Sequence, residues 1–136
     1  MASIKQYCLG LAILIPVFFS CKEQAGIGFT GVLKGKITIG PLCPVETVPP
    51  QPGCQPTAQT YITWATAVWN LNKTTKLITL NPSLEGNYRV TLPTGHYIVD
   101  LANPQAYRAG SNLPMEITVI KDDSTLFNIT IDTGIR

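Results

Sequence analysis

Glu85–Leu101 reads EGNYRVTLPTGHYIVDL, two alternating apolar runs on either side of Pro93-Thr94-Gly95. Tyr88, Val90 and Leu92 share one phase before the turn, and Tyr97, Val99 and Leu101 share it after. Arg89, Thr91 and Asp100 fall in the opposite, solvent phase. A period of two predicts strands, and the short connection predicts a hairpin. Pro93 sets φ near the value a turn requires, and Gly95 can take the positive φ that other residues resist.

Working outward, Gly31–Gly40 predicts a first strand with Leu33, Gly35, Ile37 and Ile39 on the core face and Lys34, Lys36 and Thr38 on the other. Gly35 in a strand marks a bulge or a close packing contact. Thr60–Leu71 carries apolar residues in both phases, as a central strand does. With Ile62, Trp64 and Val68 inward, Tyr61 and Trp69 become exposed aromatics on one strand face, a platform for a glycan or a protein. Asn72–Thr75 supplies a turn, Lys76–Leu80 a third strand, and Asn81-Pro82-Ser83 ends it. After an irregular connection over Ala102–Pro114, Met115–Lys121 and Thr125–Asp132 form the last two strands. Ile117, Val119, Phe127, Ile129 and Ile131 face the core. The expectation is an all-β, seven-stranded antiparallel β-sandwich.

The string Glu85-Gly86-Asn87-Tyr88-Arg89-Val90-Thr91-Leu92-Pro93-Thr94-Gly95-His96-Tyr97 resembles the Asp-x-x-Gly-x-Phe/Tyr-x-Val/Ile/Leu-x-Leu/Val-Pro-x-Gly-x-Tyr hairpin of carboxypeptidase regulatory-like domains. Those domains are transthyretin-like (prealbumin-like) sandwiches of Ig-like class, and Cna protein B-type repeats use a similar hairpin. Where the family has Asp, this chain has Pro82 or Ser83. The resemblance covers Gly31 to Arg136. Gly40–Glu46, Cys54-x-Pro56 and Asp132–Arg136 are similar to a bacterial subgroup of exported transthyretin-like domains, which supports the fold and a Cys43–Cys54 bridge.

The 136-residue length suits one folded domain. The start of the chain reads as an address. Lys5 gives a positive region, Cys8–Phe19 an apolar core too short for a confident membrane span, and Val17-Phe18-Phe19-Ser20-Cys21 resembles a bacterial lipobox. Residues 1–20 are expected to be a lipoprotein signal peptide, Cys21 the lipidation site, 21–30 a tether, and 31–136 the sandwich domain. Lys22 after the cysteine, where Asp would resemble an inner-membrane retention signal, implies an outer-membrane lipoprotein of the bacterial envelope. Cys8 then leaves with the signal and Cys21 takes lipid. Cys43 and Cys54 remain as one bridge in an oxidising compartment, closing the proline-rich loop Pro41–Pro56. Such a bridge contributes roughly 3 kcal/mol in the chain-entropy model.

Charged residues make up 13% of the chain and the net charge is +2, so composition gives no reason to propose nucleic acid as a partner. Chemistry is thinly stocked: the single histidine, His96, sits in the turn, and no Gly-x-Ser-x-Gly elbow, phosphate loop or metal-ligand spacing is present. No cofactor, metal or catalytic residue is expected. Asp132-Thr133-Gly134 matches the aspartic protease triplet but occurs once, beside the end of the chain, and reads as a strand-end turn. The resemblance brings in hydroxyisourate hydrolases as the alternative function, with Tyr107-Arg108-Ala109-Gly110-Ser111 superficially like their C-terminal motif. Ala109 interrupts that motif and His96 stands alone. Cna-type domains also suggest an isopeptide bond from Lys34 or Lys36 to Asn128, but all three lie in solvent phases. Asp123-Ser124-Thr125 resembles a short O-glycosylation motif. The expected function is therefore a non-catalytic, lipid-anchored surface module that binds a protein or glycan or supports an assembly. Tyr61, Trp69, Tyr107 and Arg108 are its candidate contacts.

Overall fold

The computed structural model describes residues 28–103 and 110–136. They form β1 (Thr30–Gly40), α1 (Ala58–Thr63), β2 (Thr66–Trp69), β3 (Lys76–Thr79), β4 (Asn87–Pro93) and β5 (Gly95–Leu101). These are followed by β6 (Gly110–Ser111), β7 (Met115–Val119), β8 (Ser124–Leu126) and β9 (Ile129–Asp132). One sheet runs β4-β1-β9-β6 with β8 also on β1, and the other runs β3-β2-β5-β7. The protein is a β-sandwich, as the alternating phases require, with nine strands among the described residues rather than seven. The expectation of purely antiparallel sheets is corrected by β1, which runs parallel to both β8 and β9.

The core is the one the alternation marks. Leu33, Ile37, Tyr88, Leu92, Tyr97, Val99, Leu101, Ile117, Val119, Ile129 and Ile131 are all buried, with Val90 and Phe127 half-buried against them. Burying each Leu, Ile or Val contributes about 1.5–3 kcal/mol, so the strands' inner faces dominate the stability of the fold.

The predicted hairpin is the first correction. β4 pairs with β1, while β5 pairs with β2 and β7, so Pro93-Thr94-Gly95 carries the chain from one sheet to the other. Both strands still point their apolar phase inward, because each faces the same core from an opposite side. Gly95 takes φ +155°, the Thr94 N–H donates to the Phe29 carbonyl at 2.8 Å, and the Tyr97 hydroxyl donates to the Pro93 carbonyl at 2.7 Å. These bonds satisfy the corner's polar groups and hold the tyrosine against the turn.

Thr60–Leu71 is the second correction. Its first part is the helix α1, opened by a capping box in which the Thr57 hydroxyl accepts from the Thr60 N–H and the Thr60 hydroxyl accepts from the Thr57 N–H. Only Thr66–Trp69 enters the sheet, as a central strand between β3 and β5.

The last predicted strand is split at Phe127-Asn128. Across the split the Phe127 N–H donates to the Lys34 carbonyl at 2.9 Å, and the Asn128 side-chain oxygen accepts from the Lys36 N–H at 3.0 Å. A side-chain amide thus stands in where the backbone ladder is interrupted. Gly35 permits the kink, since a Cβ there would lie 2.0 Å from the Phe127 carbonyl oxygen. That same carbonyl accepts from the buried Tyr88 hydroxyl at 2.5 Å.

Asp100 is the third correction. It lies in the phase opposite the core, as alternation places it, yet is fully buried with Lys73 as ion-pair partner. Lys73 reaches it from the turn between β2 and β3, where it takes φ 54°. Sheet faces away from a core are exposed by default, so a covered carboxylate needs a cation close by.

Candidate binding surfaces

Tyr61 and Trp69 do not form a platform. Tyr61 is on α1, packed against the core with its hydroxyl donating to the Leu84 carbonyl at 3.2 Å. Burial, and secondarily the Glu85 carboxylate, push its hydroxyl pKa up. Trp69 ends β2 opposite Ile98 of β5 and is half-buried, with its indole N–H buried and without an acceptor among the described residues. Ile62, expected inward on a strand, projects outward from the helix and is 66% exposed. Tyr107, Arg108 and Cys21, together with the signal segment and most of the tether, lie outside the described residues.

The helix creates a feature that strand periodicity does not show. Between α1 and the Thr79–Leu84 segment lies an open, mainly apolar groove of about 530 Å³, lined by Tyr61, Ile62, Ala65, Leu80, Pro82 and Leu84. Its rim residues Ile62 and Leu84 are 66% and 63% exposed. The sequence signal that could have found it is Thr57-x-x-Thr60, a capping pattern just after the proline-rich loop.

The proline-rich loop is closed as expected by a Cys43–Cys54 disulfide with Cα atoms 5.5 Å apart. Inside it, the Thr47 hydroxyl donates to the Pro49 carbonyl at 2.9 Å and the Cys54 N–H to the Gln51 carbonyl at 3.0 Å. Val45 and Val48 project from it into solvent.

The polar candidates resolve into structural contacts. His96 is exposed at the start of β5, with Nδ1 3.1 Å from the Thr118 hydroxyl and 3.6 Å from Glu116. Asp132 closes the turn after β9, accepting from the Gly134 N–H at 2.8 Å and from Arg136 at 2.7 Å. The Arg136 hydrogen bond, then the backbone bond, hold its carboxyl below the usual value. Asp132-Thr133-Gly134 is thus a strand-end turn. The Asn128 amide oxygen is engaged by a backbone N–H of Lys36. Among the described residues no three His, Cys, Asp or Glu side chains are grouped to hold a metal, and no helix is long and apolar enough to cross a membrane.

No family model matches the chain, and no curated protein matches it. Solved structures with similar folds include the minor pilin GBS52 of Streptococcus agalactiae, with TM-score 0.47, 15% identity, and 77% of this chain covering 45% of that one. A DUF3823 family protein from Parabacteroides merdae gives TM-score 0.45, 15% identity, and 76% of this chain over 46% of that one. The Bacillus anthracis TIE protein gives TM-score 0.44, 19% identity, and 76% of this chain over 16% of that one. The chain spans less than half the length of each of these structures.

Proposed function

We propose that this chain is a non-catalytic module of the bacterial envelope, of carboxypeptidase regulatory-like or transthyretin-like type, anchored by lipid on Cys21 and acting by binding a partner. The observation that carries the reading is the groove beside α1. A fold that buries its core residues completely leaves Ile62 and Leu84 exposed on either side of an apolar hollow, the arrangement of a contact surface rather than of a solvated face. The groove offers few groups for chemistry. Its polar side chains are the Thr79 and Ser83 hydroxyls, the Asn81 amide and the Tyr61 phenol, and the Ser83 hydroxyl donates to the exposed Glu85 carboxylate at 2.7 Å.

The anchor is supported by the apolar core ending in Phe19-Ser20-Cys21. Outer-membrane residence is supported by Lys22 after the cysteine. Capture of partners from outer membranes, run beside a glycan array, tests the module. Wild-type chain should retain a ligand that the Ile62→Asp, Leu84→Asp double variant loses. Hydrolysis of a small substrate that disappears in His96→Ala would overturn the non-catalytic reading.

A further inference from the structure

β4 is an edge strand, and its open side is defined by its hydrogen bonds to β1. The Ile37 N–H donates to the Gly86 carbonyl and the Thr94 N–H to the Phe29 carbonyl, each at 2.8 Å, one at either end of the paired segment. Antiparallel pairs alternate, so Tyr88, Val90 and Leu92 turn their backbone groups toward β1. Asn87, Arg89 and Thr91 turn theirs outward. Of these outward groups, the Asn87 carbonyl accepts from the Ser83 N–H at 2.9 Å. The N–H and C=O of Arg89 and Thr91 have no partner strand among the described residues.

The solvent face beside this edge carries three cations toward its Asn87 end and the carboxylates of Asp122 and Asp123 toward its Thr91 end. Register places Lys34 of β1 directly across from Arg89, and Lys36 across from Asn87. They border a shallow hollow of about 350 Å³ with Leu126 and Asn128. None of the three cations has an ion-pair partner among the described residues, although Glu85 lies close enough to Lys36 to feel its charge. A second copy of this chain is a poor occupant. Antiparallel self-pairing of the outward groups sets Arg89 opposite or diagonal to its own copy, with Lys34 behind each, and like charges across a strand pair repel.

We propose that β4 receives an extended acidic segment of a partner protein as an added strand, with backbone bonds to Arg89 and Thr91 and carboxylates over Arg89 and Lys34. The mode is strand addition: main-chain bonds give affinity, and alternate side chains select the ligand. The inference rests on the partner-binding reading and adds to the groove a second contact at the sheet edge.

Because the Thr91 N–H points outward, Thr91→Pro removes a donor for the incoming strand while leaving the β4–β1 ladder intact. The probe is a fluorescent decapeptide alternating Glu and Val, titrated by anisotropy into the full chain in non-ionic detergent, with a Lys–Val decapeptide as control. Saturable binding of the acidic peptide alone is expected. Thr91→Pro should weaken it at least tenfold, Thr91→Ala should leave it within about twofold, and Arg89→Glu should weaken it by about tenfold. Should Thr91→Pro fail to fold, Arg89→Glu decides. Equal binding of both peptides, or an unchanged affinity in folded Thr91→Pro or in Arg89→Glu, overturns the proposal. So does equal binding of wild type and Thr91→Pro to phosphatidylglycerol vesicles with no peptide bound, which would make the face a general anion surface. Partner capture that depends on Ile62 and Leu84, without peptide binding, sinks this inference and leaves the module reading standing. Absence of any capture sinks the module reading itself.

Discussion

Asp100→Asn tests the least expected feature of the fold. Asp100 lies opposite Ala67 of β2 on the outer face of its sheet, and both residues are 0% exposed. Lys73 donates to its carboxylate while keeping 37% of its own side chain exposed. Asparagine has nearly the same shape, so no cavity term enters, and its amide oxygen can still accept from Lys73. The loss is the difference between a charge-assisted and a neutral hydrogen bond, about 1 kcal/mol. To this is added the weaker match of a neutral amide to a site built for an anion, for a total of about 1–2 kcal/mol. The full 3–5 kcal/mol of a broken buried pair does not apply, because the exposed part of Lys73 can be rehydrated. At about 5 °C per kcal/mol for a domain of this size, the melting temperature should fall by roughly 5–10 °C in calorimetry at neutral pH. Lys73→Met should cost more, because it takes the cation away from a carboxylate that is fully buried, and the two changes should be non-additive in a double-mutant cycle. An Asp100→Asn variant that melts within a degree or two of wild type would refute the reasoning, since that is how solvent-facing substitutions behave.

Val99→Asp, one residue away on the core face, should cost several kcal/mol and abolish the cooperative transition, seen as a lost thermal melt. Gly35→Ala should cost about 1–3 kcal/mol, because the new methyl meets the Phe127 backbone rather than a movable side chain; denaturant titration reads it, and an unchanged midpoint would contradict the close approach. Cys43→Ser with Cys54→Ser should lower stability by roughly 3 kcal/mol with the m-value rising as the unfolded chain expands. Burial raises the Tyr88 hydroxyl pKa above the usual value of 10.0. The unfolded state therefore ionises first, and the Tyr88 contribution to stability, constant below about pH 10, should decline as pH rises above it. Tyr88→Phe should flatten that alkaline decline while losing about 1 kcal/mol at neutral pH, and an unchanged alkaline slope would exclude Tyr88 as its source.

How much of this was legible depends on what alternation encodes. A period of two tells which side chains point one way, and that held for Leu33 and Ile37, for Tyr88 and Leu92, and for Tyr97, Val99 and Leu101. It does not tell which strands pair. Two strands joined by so short a turn can fold back as a hairpin or diverge into facing sheets, and both arrangements put Val90 and Val99 toward one core. The identity of the second sheet's strands was decided by long-range pairing of β5 with β2 and β7, for which no local residue pattern stands. Asp100 misled for the related reason that its cover comes partly from the Lys73 turn, remote in sequence and itself a polar stretch.

The candidate surfaces follow the same logic. Tyr61-Ile62-Thr63-Trp64 alternates well enough to pass for a strand, and over so few residues the two periods separate poorly. The segment starts at the reciprocal Thr57–Thr60 cap, which satisfies backbone groups whatever hydrophobic face follows and so favours the helix. Once the segment is helical, Tyr61 turns inward to Leu84 and Ile62 turns out, so the surface aromatic pair vanishes and an apolar groove takes its place. The edge of β4 is hidden differently: Arg89 and Thr91 fall in the solvent phase of the sequence and are exposed in the structure. Only with β5 drawn away into the other sheet does their strand lose a neighbour. The same sheet-switching corner that corrects the hairpin therefore leaves Arg89 and Thr91 without a partner strand among the described residues, and it makes the binding proposal at β4 a consequence of topology rather than of composition.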